Sequence, residues 1–380
     1  MKILTVDIGT GTQDIFLFDS QMDVENGYKL ILPSPTLMVE RRLHQAAREK
    51  KDVLLTGCIM GGGPSGWGAS DHIKKGLKVY ATPEAARSFD DDLSVAQEKG
   101  ILLVSEDESR RLPESVKRIP MADFDFPAIR QAFAIFGVSL DDLTAVAVAA
   151  FDHGNAPVDV SDCKFRFDYL DERIRSENRL SAFAYAAENV PAIMTRLRAV
   201  VASTRDIPAQ VLVMDTAPAA VLGATLDPLA LRHERNLFIN IGNMHVLSFR
   251  MNPGGIEGVF EHHSHMLDTT HLEELLLQFA EGSLTNEEVF TDHGHGAIIY
   301  DPRPLLMDND DYNLVVTGPR RSILKGSPLK PYFAAPYGDM MAAGCFGLLR
   351  AAADVLPDLA EPILSALAGK NAPKAPCETD

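Results

Sequence analysis

Residues able to do chemistry gather in three places along the 380-residue chain. The first is Asp7, Gly9, Thr10, Gly11, Thr12 and Gln13. Glycines let backbone N–H groups crowd around an anion and hydroxyls add donors, which is how a turn holds phosphate. A carboxylate beside such a turn cannot contact phosphate itself, but it can hold Mg2+ or its waters against the phosphate oxygens. The same residues also read as an ordinary glycine hairpin. The second place is Asp152, His153 and Gly154, at the end of the apolar run 144–151. Open α/β sheets put ligands beyond the carboxyl ends of their strands, so Asp152 is a candidate general base, with His153 second. The competing role for Asp152 is to tighten the turn.

The third place is histidine-rich: seven of the eleven histidines fall within 245–295. Glu261, His262, His263, Ser264 and His265 run together, Asp268 and His271 follow, and Asp292, His293 and His295 come about a helix later. On a strand His263 and His265 share one face and His262 takes the other. That pair suits a grip on Zn2+ or another transition metal, completed by Asp268, His293 or His295. The competing reading is a set of hydrogen-bonding histidines lining a cleft. Cys58, Cys163, Cys345 and Cys377 are too scattered for a zinc ribbon or a disulfide framework. They include no close triplet of the kind that ligates a radical-generating iron–sulfur cluster.

The elements that must position these residues can be drawn coarsely. Leu4, Val6 and Ile8 alternate, and 15–18 is a buried run, so residues 1–20 read strand, turn, strand. Further strands are predicted at 28–32, 52–58, 79–82, 101–105, 144–151, 211–215 and 313–317, with helices at 36–50, 83–89, 90–99 and 126–136. Residues 178–203 read as one long helix kinked near Pro191. Five glycines within 61–68, around the only tryptophan, Trp67, predict either a flexible crossing or a loop that approaches a ligand. Residues 237–251 then repeat the layout of the opening hairpin, with Asn240 standing where Asp7 stands and Gly242 where Gly9 stands. Two such turns from two halves can grip a polyphosphate between them.

Composition bounds the partners. A net charge of −17 and a pI near 5.1 argue against nucleic acid and anionic membranes, both of which need a basic footprint. No run approaches the roughly 20 apolar residues of a membrane span, so a cytoplasmic globular protein with no membrane partner is expected. The composition of 369–380 predicts a disordered tail.

The order of these motifs resembles the actin, Hsp70 and sugar-kinase superfamily over almost the whole chain. Residues 7–13 resemble its first phosphate motif and 240–245 its second. Residues 215–224 and 339–347 resemble the two connecting helices, and 317–321 the adenosine motif. The turn after 146–151 resembles the place where its carbohydrate kinases present substrate-facing residues. A nearer resemblance is to a bacterial and archaeal family labelled pyruvate formate-lyase activating enzyme-like.

The resemblance implies an α/β fold of two RNase-H-like lobes, the actin-like ATPase fold, with an interlobe cleft. It implies lobes at 1–224 and 225–338, a connecting helix and a further helix at 339–368, and a tail at 369–380. The implied cofactors are ATP and Mg2+, with Asp7 on the metal, Gly9, Thr10, Gly11, Thr12, Gln13, Gly242 and Asn243 on the phosphates, Gly318 at the adenine and Asp152 as base. The implied activity is γ-phosphoryl transfer to a small-molecule acceptor, or ATP hydrolysis. Two rivals are a nucleotide-gated switch without an acceptor, and a metal enzyme on His263, His265, His293 and His295 that no longer uses ATP. This chain departs from the superfamily pattern at Asn240, which lacks a carboxylate, at Met244 and His245 in the second turn, and at Pro319 in the adenosine turn.

Overall fold

A computed structural model of the chain describes residues 1–157, 159–307 and 313–370. The predicted tail lies almost wholly outside them, as does Cys377. Lys2–Ile8 and Thr12–Asp19 form the opening hairpin, and their apolar residues are buried on both faces. Tyr28–Pro33 extends the hairpin antiparallel, while Leu143–Ala150 and then Gln210–Met214 add parallel strands on the other side of Lys2–Ile8. The second half repeats the plan. Asn236–Ile241, His245–Asn252 and Gly255–His263 form an antiparallel meander, and Leu314–Thr317 and Tyr332–Phe333 add in parallel beside Asn236–Ile241. Numbered within each half, both core sheets run 3-2-1-4-5, with three antiparallel strands followed by two parallel ones. That order and strand sense make each half an RNase-H-like lobe, and two such lobes around a cleft make the actin-like ATPase fold.

Between the third and fourth strands of the first lobe the chain builds a third, parallel sheet of Ile101–Leu103, Val79–Ala81, Val53–Gly57 and Lys117–Met121. The helices Pro35–Arg48 and Gly63–Lys74 pack beside it. The glycines at 61–68 are therefore not a flexible crossing: most of them open a helix. Gly68 gives that helix room, since a Cβ there would stand 3.2 Å from Glu40 and Leu43 of the preceding helix. Trp67 is left 55% exposed.

Residues 178–203 also differ from expectation. They break into a 3-10 turn, the strand Ala184–Ala186, a second 3-10 turn and a short helix, Thr195–Ala202. Backbone pairing of Ala184, Tyr185 and Ala186 with Met214, Val213 and Leu212 outweighs their helix propensity.

The lobes meet at two helices, Thr216–Ala224 and Ala343–Val355, each made of small residues. The second starts four residues later than the sequence suggested, because Asp339 spends its carboxylate on the amides of Met341 and Ala342 in a preceding turn. The helices cross in backbone contact: a Cβ on Gly223 would overlap the Ala343 carbonyl, and one on Gly347 the Ala219 carbonyl. No helix among the described residues is long and apolar enough to cross a membrane.

Candidate functional site

Both glycine turns close with the same backbone bond. The Gly9 amide donates to the Thr12 carbonyl at 2.9 Å, and the Gly242 amide to the His245 carbonyl at 2.8 Å. They face one another across a single cleft of about 830 Å3, lined by Gly9, Thr10 and Thr12 on one side and Gly242 and Asn243 on the other. Gly11 and Asn243 touch, since a Cβ on Gly11 would overlap the Asn243 side-chain amide. The Ser34 hydroxyl holds the first turn by donating to the Thr10 carbonyl at 2.6 Å while capping the helix that follows. The amino end of helix Gly63–Lys74 also borders the cleft, and a Cβ on Gly63 would lie 3.5 Å from the Thr10 methyl. Helix amino ends favour anions.

Gln13 is placed differently, with its amide donating to the Pro33 carbonyl at 3.1 Å along the strand edge. Gly318 borders the cleft at φ +99°, where a Cβ would overlap the Ile241 carbonyl and the Asn240 side chain. Its lack of a side chain serves that close approach and left-handed backbone.

Asp7 faces Asp14 across the hairpin register. Asp7 accepts a 2.5 Å bond from the Thr216 hydroxyl, and Gly344, bare of a side chain, lets the second connecting helix start against its carboxylate. Burial pushes Asp7 up to about 7; the Thr216 bond opposes this and the Asp215 charge adds to it. Burial, and then the charge of Asp7, push Asp14 up to about 8. One Asp14 oxygen is buried with no hydrogen-bond partner. Two carboxylates sharing a buried corner resist joint ionisation, and a divalent cation removes the conflict. Sequence reading missed Asp14, although its register opposite Asp7 follows from a four-residue turn.

Asp152 lines the cleft, but both its oxygens are engaged: the Gly154 and Leu197 amides donate to them, each at 2.9 Å. That geometry ties the turn to helix Thr195–Ala202. Behind it lies Arg166, 1% exposed and also missed in the sequence. Its Nε donates to both Glu261 oxygens at 3.0 and 3.1 Å, and its Nη1 donates to Asp215 at 2.6 Å and to the Asp152 carbonyl at 2.9 Å. Its guanidinium stacks 3.8 Å from the Phe151 ring centre. Arg166 belongs to the first lobe and Glu261 to the second, so this buried pair joins them. Burial favours a protonated Glu261, but the Arg166 and His295 charges outweigh it and hold the carboxyl well below its usual range.

The histidines sort themselves into different company from that expected. His263 and His295 do meet, with ring centres 4.7 Å apart. His265 is exposed at the cleft edge, while His293 is exposed in a turn at φ +63°. Asp268 caps helix Thr269–Glu281, accepting the His271 amide at 2.9 Å. His262 and His271 both pair with Asp292, at 3.1 and 3.0 Å. What joins His295 instead is His153 and His245, or Cys163 and His263; in either trio the ligating atoms lie within 4.8 Å of one another. Burial lowers His153 to about 3 and takes His245 well below its ordinary value, so both are neutral imidazoles. His295 is raised to about 9 despite its burial, because the Glu261 carboxylate faces it.

Residues 60–323 match the family described as "Putative pyruvate format-lyase activating enzyme (DUF1786)". The chain belongs to this family. Among solved structures, this DUF1786 chain is similar to the ethanolamine utilization protein EutJ from Carboxydothermus hydrogenoformans, at 10% identity over 92% of this chain and 89% of that one, with a TM-score of 0.26. It is similar to a ROK hexokinase from Thermus thermophilus at 11% identity, over 67% of this chain and 48% of that one, with a TM-score of 0.23. It is also similar to "a putative N-acetylmannosamine kinase" from Listeria monocytogenes at 11% identity, over 98% and 100% of the two chains, with a TM-score of 0.31. At these scores the likenesses add nothing to the strand order, which carries the fold. No curated protein matches the sequence.

Proposed function

We propose that the chain binds ATP with Mg2+ in the interlobe cleft and transfers the γ-phosphoryl group to a small acceptor or to water. The observation that carries this reading is the pair of identically closed turns facing one another beside two buried carboxylates. Asp7 and Asp14 would hold Mg2+, which supplies neutralisation of the phosphate charge. Gly9, Thr10, Gly11 and Thr12 from one lobe, and Gly242 and Asn243 from the other, would hold the phosphates, with the helix starting at Gly63 adding the positive end of its dipole. Gly318 borders the adenosine end. Asp152, with both oxygens engaged by amides, positions the turn. Asp91 is better suited to take a proton from an acceptor. It lines the same cleft, one of its oxygens is buried without a partner, and burial and then the charges of Asp162 and Asp152 lift it to about 6.

The family description names an activase. A radical-generating iron–sulfur cluster needs three close cysteines, yet among the described residues Cys58 lies by Ser203, Cys163 by His263, and Cys345 under the Asp14 carbonyl. A nucleotide-driven switch without an acceptor is the second reading, favoured by the buried Arg166–Glu261 pair that would have to part if the lobes opened.

Thermal unfolding with and without MgATP tests the proposal. A ligand at about 100 times its dissociation constant adds about 2.7 kcal/mol. The wild-type chain should be stabilised, and Asp7→Ala should lose the Mg2+-dependent part. No stabilisation by any Mg-nucleoside triphosphate, or an unchanged response in Asp7→Ala, overturns it. Phosphate release without an added acceptor separates hydrolysis from transfer.

A further inference from the structure

We propose that His153, His245 and His295 together bind one divalent transition-metal ion of the Zn2+ class, bridging the two lobes beside the cleft. The three side chains come from three separate elements: the turn after Leu143–Ala150, the first residue of His245–Asn252, and the residue before Gly296–Ile299. Their ligating nitrogens lie within 4.8 Å of one another. Nitrogens about 2.1 Å from a tetrahedral ion stand about 3.4 Å apart, so side-chain rotations of little more than about 1 Å close the set.

The surroundings are built for ligation. His295 is 1% exposed, yet neither ring nitrogen has a hydrogen-bond partner. Its Nδ1 stands 3.2 Å from a Glu261 oxygen, at ion-pair distance but without the alignment of a hydrogen bond. Nε2 is then the atom for an ion, which takes the place of the proton there while Glu261 keeps Nδ1–H. A carboxylate behind the second nitrogen is the usual way a ligating imidazole is oriented, and Arg166 in turn fixes Glu261 with two bonds. The His245 ring is clamped flat on Phe151, with ring centres 4.1 Å apart and planes 5° from parallel. Its ring centre lies 5.1 Å from that of His295 and 5.6 Å from that of His153. Three imidazoles suit a borderline ion such as Zn2+. With three protein ligands the fourth position stays open, and His153 and His245 both border the cleft. The other trio shares His295 but brings Cys163 and His263 to it, and a thiolate ligand there would give that set a signature of its own.

The test uses the full, tag-free chain, stripped with a chelator and titrated with Zn2+ against a chromophoric indicator, then with Co2+ as a spectroscopic probe. One ion per chain is expected, with intense Co2+ ligand-field bands of a four-coordinate site and no thiolate charge transfer. His153→Ala and His245→Ala should each weaken Zn2+ by about 100-fold or more, while Cys163→Ser and Asp7→Ala leave it unchanged. Circular dichroism checks each variant's fold, and His245→Asn, closer in shape, replaces an alanine variant that fails to fold. A charge-transfer band that Cys163→Ser removes would move the ion to the other trio and overturn the assignment, as would the absence of stoichiometric binding. Asp7→Ala reports on the nucleotide reading alone, so the two proposals fail separately.

Discussion

Replacing Arg166 by Met tests the junction between the lobes. The substitution keeps the aliphatic stem but removes the charge and every hydrogen bond to Glu261, Asp215 and the Asp152 carbonyl. Asp215 is then left buried without its cation and Glu261 keeps only His295, and breaking such a pair costs about 3–5 kcal/mol. The loss has a signature in pH. In the wild type, Glu261 is held below its ordinary 4.5, so it contributes stability that is present above that value and lost only as pH falls through the depressed one. Without Arg166, burial lifts Asp215, already above its ordinary value, further still, and Glu261 has only the His295 charge to oppose its burial. Through Asp215, Arg166→Met should therefore lose more stability than the wild type as pH rises from 5 to 8, so the gap between them widens. Urea unfolding followed by far-UV circular dichroism at both pH values measures this, because the only tryptophan, Trp67, is 55% exposed and reports poorly on the core. Asp215→Asn combined with Arg166→Met should recover part of the loss. A deficit under about 1 kcal/mol at both pH values would refute the argument that this buried pair holds the lobes together.

Two further outcomes follow from the same geometry. Gly347→Ala drives a methyl into the Ala219 carbonyl at the helix crossing and should cost about 1–3 kcal/mol in thermal or urea unfolding; an unchanged midpoint would show that the crossing can open freely. Asp7 and Asp14 are raised from 3.8 to about 7 and about 8, so the native state holds extra protons between those limits. Stability of the metal-free chain should therefore be full below about pH 4 as far as these groups are concerned, and decline as pH rises toward 8. Asp14→Asn should flatten that decline, and Mg2+ should reverse it; a slope identical in wild type and Asp14→Asn would count against the coupled pair.

The two-lobed fold was legible because its signals are local and repeated. A period-two strand, a glycine turn and a second strand can be read from 1–20, and the same order recurs at 237–251. Local patterns failed where distant pairing decides the structure. Ala184, Tyr185 and Ala186 look helical and become a strand only because Leu212, Val213 and Met214 offer an edge. The glycines at 61–68 looked like a loop, since a glycine at a helix crossing carries no mark of the neighbouring Glu40 and Leu43. Arg166 shows the limit most sharply. It sits in a helix dense with charge, 162–176, where nothing in the sequence separates the fully buried Arg166 from the half-buried Arg173 and the exposed Arg175.

The histidines failed to sort by sequence for a related reason. Strand alternation pairs His263 with His265, and their ring centres do lie 5.6 Å apart, but the strand ends at His263 and the chain turns into a 3-10 helix, which leaves His265 exposed at the cleft edge and outside either ligating trio. The partner that matters, His245, lies opposite His263 in the neighbouring strand and belongs to the second phosphate-like turn, whose Gly242 amide its own carbonyl accepts. The residue that breaks the superfamily pattern in that turn is thus also the one that faces His153 and His295. Any movement of the turn toward a phosphate carries the His245 backbone with it. A metal on these imidazoles and an anion at Gly242 would therefore act on the same four residues.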